Sequence, residues 1–223
     1  MAGPRIGVLG GTFNPVHLGH LLIAEEFRER LVLDRVLFVP AAAPPHKGDR
    51  RLADPLHRYA MVALAVADHP AFAVSDLEFR RPGPSYSAVT LELLAGELSG
   101  SLLYFLMGSD TFLDLPAWRT PERLTTWATV AVAHRGGVSF DPASPAAAAV
   151  LARLGRPAWR RVPPEPWSAI PPGEVILVET ASLPVSAREI RRRVAEGRSV
   201  RFLVPPAVAD YIAAHHLYAD PER

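Results

Sequence analysis

The sequence predicts an α/β fold in which a parallel sheet is covered by helices on both faces. Three observations carry that expectation. Strand-like apolar runs alternate with helical patterns along nearly the whole chain, the order that builds parallel sheets. Leu102–Met107 is almost entirely apolar, as befits a strand buried on both faces. A glycine-rich turn, Gly10-Gly11, directly follows the first strand-like run and opens the first helical pattern. Such sheets bind ligands at the carboxyl ends of their strands, near the topological switch point.

The elements follow in order. Arg5–Leu9 reads as a strand and Leu18–Leu31 as a helix. Arg35–Val39 is a second strand, stopped by Pro40. Asp54-Pro55 has the form of an N-cap followed by proline at the first helical position, opening a helix to about Ala67. Phe72–Phe79 reads as a strand, Ser87–Leu98 as a helix and Leu102–Met107 as the buried strand. Thr120-Pro121-Glu122 starts a further helix, and Thr129–Ala133 is a strand. Ser144-Pro145 caps an alanine-rich helix that stops at Gly155, and Glu174–Glu179 is a last strand. Ser186 to Glu189 has the form of a capping box, followed by a helix to Glu196. Pro205–His216 is the final helix. This is a Rossmann-like arrangement, expected to form a single domain over residues 1–223. A C-terminal helical portion occupies about 186–218, and Arg156–Gly173, rich in proline and tryptophan, reads as a surface excursion.

Composition narrows the function. Half the residues are hydrophobic (49%), 21% are charged, and the net charge is +1, so no broad field argues for nucleic acid or a membrane surface. Cysteine is absent, which excludes disulfides, thiolate metal sites and a cysteine nucleophile. The opening residues lack the apolar run of a signal peptide. No apolar stretch is long enough to span a bilayer, and a cytoplasmic protein is expected. Lys47 is the sole lysine. A coding bias toward arginine accounts for the depletion but not for the survivor. In its loop, Ala41 to Asp49, a compact ammonium on a flexible stem suits a moving phosphate.

The strongest chemical signal is the run from Gly10 to His20, GGTFNPVHLGH. Adjacent glycines admit a ligand close to the backbone and permit positive φ. The helix start beyond them offers free N–H groups and a partial positive charge to a phosphate. His17 and His20, three apart, share a face on the first turn, where imidazoles can donate to phosphate oxygens as charge builds in a transition state. Gly10, Gly11, Thr12 and Phe13 are the expected phosphate-binding backbone. Competing motifs fail on spacing: Gly7, Gly10 and Gly11 make no dinucleotide fingerprint, no Gly-Lys-Ser/Thr follows for a P-loop, and the histidine pair is HLGH where a zinc helix wants HExxH. The blander alternative is that both histidines cap a helix. Ser186 is readable as an N-cap, and a phosphate at this helix end would meet the same N–H groups. Asp110, after a buried strand and Gly108-Ser109, stands where a ligand hydroxyl would be accepted or where a helix would be capped. Trp118 on residue type alone reads as core, and Arg191–Arg193 as a solvated helix face.

These motifs resemble the HxGH nucleotidyltransferase superfamily, in its GGTFxPxHxGH form, and the resemblance runs over nearly the whole chain. Pro45-His46-Lys47 is similar to the phosphate loop of that family, His57 to Met61 to its second-helix signature, and Pro84 to Thr90 (PSYSAVT) to its SYTxxT element. Met107 to Asp110 resembles the GxD element, Leu115 to Trp118 the LxxW element, and Val185 to Arg191 the ISSTxIR element. The set points to the nicotinate-nucleotide adenylyltransferase branch. The resemblance implies transfer of AMP from ATP to nicotinic acid mononucleotide. It places His17, His20, Lys47 and Arg191 on the phosphates, with Gly10, Gly11, Thr12, Phe13, Gly108 and Ser186 at ATP. Asn14, Ser85, Tyr86, Ser87, Asp110, Trp118 and Arg135 go to the mononucleotide: Trp118 stacking on the pyridine, and N–H groups around Tyr86-Ser87 meeting its carboxylate. Mg2+ is expected to arrive on the ATP phosphates, with no dedicated metal site.

Some residues depart from the family pattern. Asn14 stands where the family commonly has Asp, so a charge is lost. Ala187 and Arg188 replace a hydroxyl pair. The sister reactions, with nicotinamide mononucleotide or phosphopantetheine as acceptor, and a nucleotide sensor without catalysis stay open alternatives, as does a homo-oligomer. Tyr86 and Trp118 favour a pyridine ring over a flexible pantetheine arm.

Overall fold

A computed structural model describes residues 3–45, 52–135, 140–161, 172–181 and 183–219, with the side chains of Arg135 and Arg161 outside the description. The elements run β1 (Arg5–Gly11), α1 (Leu18–Arg30), β2 (Arg35–Pro40), α2 (Pro55–Val66), β3 (Phe72–Val74), α3 (Ser87–Glu97), β4 (Leu102–Gly108), α4 (Ser109–Asp114), α5 (Leu124–Trp127), β5 (Thr129–Arg135), α6 (Pro145–Arg153), β6 (Arg160–Arg161), β7 (Val175–Thr180), α7 (Ala187–Ala195) and α8 (Pro206–Ala214). The strands are ordered β3-β2-β1-β4-β5-β7-β6. From β1 the chain first moves toward one edge and then restarts at β4 on the other side, so the switch point lies at β1 and β4. These two pair in parallel, with Arg5 opposite Leu102 and Val8 opposite Phe105. The pairs β4–β5, β5–β7 and β6–β7 are parallel as well. This is the Rossmann-like α/β fold.

The chain divides into two compact units. One comprises Met1–Gly10, Ile23–Leu37 and Tyr86–Ala181. Its core is the central strands: Val130, Ala131, Val132 and Ala133 are wholly inaccessible, and Leu103 to Met107 are buried throughout, each large side chain contributing about 1.5–3 kcal/mol by leaving water. Gly7 lets Leu33 and Leu106 pack close to the strand. A Cβ at that position would stand 2.8 Å from Leu33 Cδ1 and 2.9 Å from Leu106 Cδ1. The other unit comprises Gly11–Leu22, Phe38–Ser85 and Ser182–Arg223. It buries Phe13, Val16, Phe38, Met61, Val62, Val208 and Ile212. β1, α1 and β2 each begin in one unit and end in the other.

Three caps form where the sequence places them. Asp54 accepts from Leu56 N at 2.8 Å, Ser144 from Ala147 N at 3.3 Å and Ser186 from Glu189 N at 3.2 Å. Of the capping box at Ser186 only this half is made. The Glu189 carboxylate turns to Arg192 and Arg193, whose ion pairs lower its pKa, with the Arg192 hydrogen bond the largest cause.

Two expectations are corrected. The strand expected over Phe72–Phe79 stops at Val74, because the chain turns at Asp76. Its carbonyl accepts from Phe79 N and Arg80 N, its carboxylate holds Arg80, and Ser75 Oγ accepts from Leu77 N. Local side-chain bonds there outcompete the ladder. The helix expected from Thr120-Pro121 is a 3-10 turn, Pro121–Arg123, followed by the single-turn α5. Within the segment read as an excursion, β6 adds to β7. Trp159 donates to Pro142 O at 2.8 Å and packs on Phe112 and Phe140. Residues 162–171 of that segment lie outside the described residues.

Candidate active site

In the unit that holds Gly11–Leu22, β1 ends at Gly11 and the chain turns through Thr12 and Phe13 into α1. The positive φ expected of the glycines falls on Phe13 instead, at 47°, a conformation that costs a residue with Cβ about 1–2 kcal/mol. The Phe13 ring is buried against His20, 5.1 Å away edge-on, and Phe38, so tertiary packing holds the turn. What Phe13 presents to a nucleotide is therefore backbone.

His17 and His20 come together as their spacing predicts. Their rings stack with centroids 3.7 Å apart, and His20 Nδ1 accepts from the His17 backbone N–H at 3.2 Å. A ring nitrogen that accepts carries no proton, so in neutral His20 the proton sits on Nε2. This hydrogen bond sets His20 as an Nε2–H donor. Gly19 leaves room for the His17 ring: a Cβ would crowd it at 3.1 Å from Nδ1 and would stand 3.7 Å from Val185 O, next to Ser186. The start of α7 thus lies by the histidine turn.

Arg191, on α7, donates from Nη1 to Asn14 O at 2.8 Å. Asn14 is buried, and its Oδ1 accepts from Tyr218 Oη at 2.8 Å and Ala53 N at 3.1 Å. Its acceptor atom is therefore committed within the protein. Burial pushes the Tyr218 phenol well above its usual range, against the pull of the Arg191 and Arg58 charges. Ser85 is tied by its hydroxyl and its N–H to the N–H and carbonyl of Ala43. Lys47 lies outside the described residues.

In the other unit, Gly10 is the last residue that β1 contributes and Gly108 ends the neighbouring strand β4, and a Cβ at Gly10 would meet the Phe105 ring at 3.5 Å. Gly108 is the N-cap residue of α4, and Asp110 stands exposed in that helix's first turn, which settles the capping alternative against Asp110. Neither α4 nor α3, which starts at Ser87 after Tyr86, has a side-chain cap. Arg119 lies 4.9 Å over the Tyr86 ring, and half-buried Trp118 meets Phe105 edge-on at 6.4 Å. Arg135 ends β5. Among the described residues no group of three His, Asp or Glu side chains gathers to hold a metal ion, and no helix is long and apolar enough to cross a membrane.

The sequence reading missed Arg58, Tyr218 and Arg119. Arg58 had a signal: it sits in line with Met61, Val62 and Val66, on the stripe of α2 that is buried.

A family model described as cytidylyltransferase-like matches residues 8–193. A protein of Thermomicrobium roseum named probable nicotinate-nucleotide adenylyltransferase is 44% identical, over 98% of this chain and 93% of its own. A Geobacter sulfurreducens protein of the same name is also 44% identical, over 96% and 98%. The chain belongs to the nicotinate-nucleotide adenylyltransferase family. Its fold is that of the Plasmodium falciparum nicotinic acid mononucleotide adenylyltransferase complexed with NaAD, with a TM-score of 0.71 and 18% identity over 96% of this chain and 97% of the other. Family membership makes this chain an ATP-dependent nucleotidyltransferase.

Proposed function

We propose that this protein transfers the adenylyl group of Mg-ATP to nicotinic acid mononucleotide, giving deamido-NAD and pyrophosphate, and that residues 1–223 act as one catalytic domain. The observation that carries the reading is the stacked histidine pair, in which a backbone N–H sets His20 as an Nε2–H donor. The mononucleotide phosphate is anionic at neutral pH and needs no general base. One of its oxygens attacks the α-phosphorus in line. A new P–O bond forms as the bond to the bridging oxygen breaks, and pyrophosphate leaves with that electron pair and its Mg2+. No proton is transferred and no covalent enzyme intermediate forms.

Catalysis is then positioning and charge stabilisation. His17 and His20 donate to the α- and β-phosphate oxygens, where negative charge grows. Arg191 and the start of α7 at Ser186 hold the outer phosphates, and Lys47 follows the charge onto the leaving group. Gly10, Gly11, Thr12, Phe13 and Gly108 offer backbone to the nucleotide. For the acceptor, Trp118 stacks on the pyridine, Asp110 and Arg135 meet the ribose and phosphate, and Asn14 and Ser85 support the loops beside it. The uncapped start of α3 at Tyr86-Ser87 receives the pyridine carboxylate on its N–H groups.

The test is pyrophosphate release from purified protein with Mg-ATP and, in parallel, nicotinic acid mononucleotide, nicotinamide mononucleotide and phosphopantetheine. Strong preference for the acid supports the reading. Activity confined to another acceptor overturns the acceptor assignment, and no release with any of them favours a sensor.

A further inference from the structure

Arg58 is wholly inaccessible to solvent, and its guanidinium is spent on backbone. Nε donates to Ala53 O at 3.1 Å, Nη1 to Thr12 O at 2.8 Å and to Ala41 O at 2.6 Å, and Nη2 to Ala42 O at 3.3 Å. Among the described residues no carboxylate pairs with it directly; Asp54, Glu78 and the Tyr218 phenol act on it only through their electrostatic influence. Burying a cation without a counter-ion is costly, so an arginine here needs a reason that an apolar residue on the same helical stripe could not supply.

The reason lies in which carbonyls it gathers. Thr12 follows the Gly10-Gly11 pair and leads into the histidine turn. Ala41 and Ala42 begin the segment that carries Lys47, and Ala53 ends it. Neighbouring bonds reinforce the same junction: Ala41 N donates to Gly11 O at 2.8 Å, Ala42 N to the Glu78 carboxylate at 3.3 Å and Ala53 N to Asn14 Oδ1 at 3.1 Å. The planar fork of arginine reaches several carbonyls at fixed angles, which a lysine ammonium on a flexible stem does not.

We propose that Arg58 is a positioning residue of the transfer reaction: its buried guanidinium fixes the carbonyls of Thr12, Ala41, Ala42 and Ala53 and so holds the Gly11–His20 turn in its phosphate-binding geometry. The proposal rests on the adenylyltransferase reading for its effect on rate, but not for its effect on the turn. Arg58 touches no reacting atom. It acts through the backbone that aims His17 and His20, where misplacement by about 1 Å costs on the order of a hundredfold in rate.

The test is Arg58→Lys, which keeps the charge and removes the fork. Steady-state kinetics with Mg-ATP and nicotinic acid mononucleotide are read together with amide hydrogen exchange. The expected result is a folded variant whose kcat falls roughly tenfold to a hundredfold while KM for Mg-ATP changes much less. Amide exchange should speed up at Gly11–Phe13 and Ala41–Ala43 and stay unchanged in α8. Arg58→Gln, which leaves no buried charge, serves the same comparison if the lysine variant does not fold. A folded variant with kcat near that of the parent, or exchange that rises evenly along the chain, overturns the proposal. If the parent protein itself releases no pyrophosphate, the adenylyltransferase reading has failed, and the local exchange pattern alone decides whether Arg58 holds the turn.

Discussion

The turn that carries His17 and His20 is built differently from the surface that carries Tyr86, Asp110 and Trp118. The turn from Gly11 to His20 is tied down by side chains from distant parts of the chain. Asn14 carries Arg191 on its carbonyl and Tyr218 and Ala53 on its side chain, Thr12 carries Arg58, and His17 and His20 stack. Tyr86, Asp110 and Trp118 are half-buried or exposed, and the helices beginning at Ser87 and Ser109 lack side-chain caps. A polyphosphate presents one fixed charge pattern and rewards a turn organised before it arrives, since preorganised donors need no rearrangement at the moment of reaction. An acceptor with an aromatic ring and a carboxylate needs exposed surface and unsatisfied N–H groups. The capped starts of α2, α6 and α7 make the contrast sharper, because there the orphan donors are already partly satisfied.

The sharpest way to break this comparison is His20→Ala. It should lower kcat about a hundredfold or more with Mg-ATP binding nearly kept. A variant with normal kcat and weaker ATP affinity would show that the histidine turn only binds. Next is Trp118→Ala, expected to raise KM for the mononucleotide roughly tenfold, in line with the loss of an aromatic stack of about 1 kcal/mol or a little more, while KM for Mg-ATP stays put. Equal changes in both would mean that Trp118 is merely core.

Paired cap removals sharpen the comparison with smaller effects. Ser144→Ala should cost about 1 kcal/mol of stability, read by denaturant unfolding, with turnover unchanged. Ser186→Ala should cost a similar amount and also weaken Mg-ATP, because that cap lies by the histidine turn. Matching behaviour of the two would remove Ser186 from the ATP assignment. The smallest effect is at alkaline pH. Burial raises the phenols of Tyr104 and Tyr218 above their usual value of about 10. A raised folded-state pKa means stability that is full below the unfolded value and lost as pH rises above it. Melting temperature should therefore start to fall above about pH 10, and less steeply in Tyr218→Phe. An identical slope in that variant would assign the loss elsewhere.

Most of the sheet was legible in the sequence because a strand buried on both faces must be apolar throughout, as Leu103 to Met107 and Val130 to Ala133 are. The helix starts at Asp54, Ser144 and Ser186 were legible because a cap is a local hydrogen bond two or three residues long. The histidine pair was legible for the same reason, since a three-residue spacing sets a shared face without reference to the rest of the chain.

What only the tertiary structure decided is long-range. Phe72–Phe79 has strand composition, but side-chain bonds at Ser75 and Asp76 end the strand early. Asn14 looked like a ligand contact, and its acceptor is taken by Tyr218, 204 residues away. Arg58 stood in a motif with no role of its own, yet folding brings Thr12, 46 residues distant, and Ala41, 17 distant, onto one guanidinium. Sequence pattern alone established the α/β fold, the pairing of His17 with His20 and the residue types available for chemistry, because these follow from local periodicity and hydrogen bonding. Which of those residues are consumed in holding the turn rigid depends on contacts between segments far apart in the chain, and no local pattern encodes them.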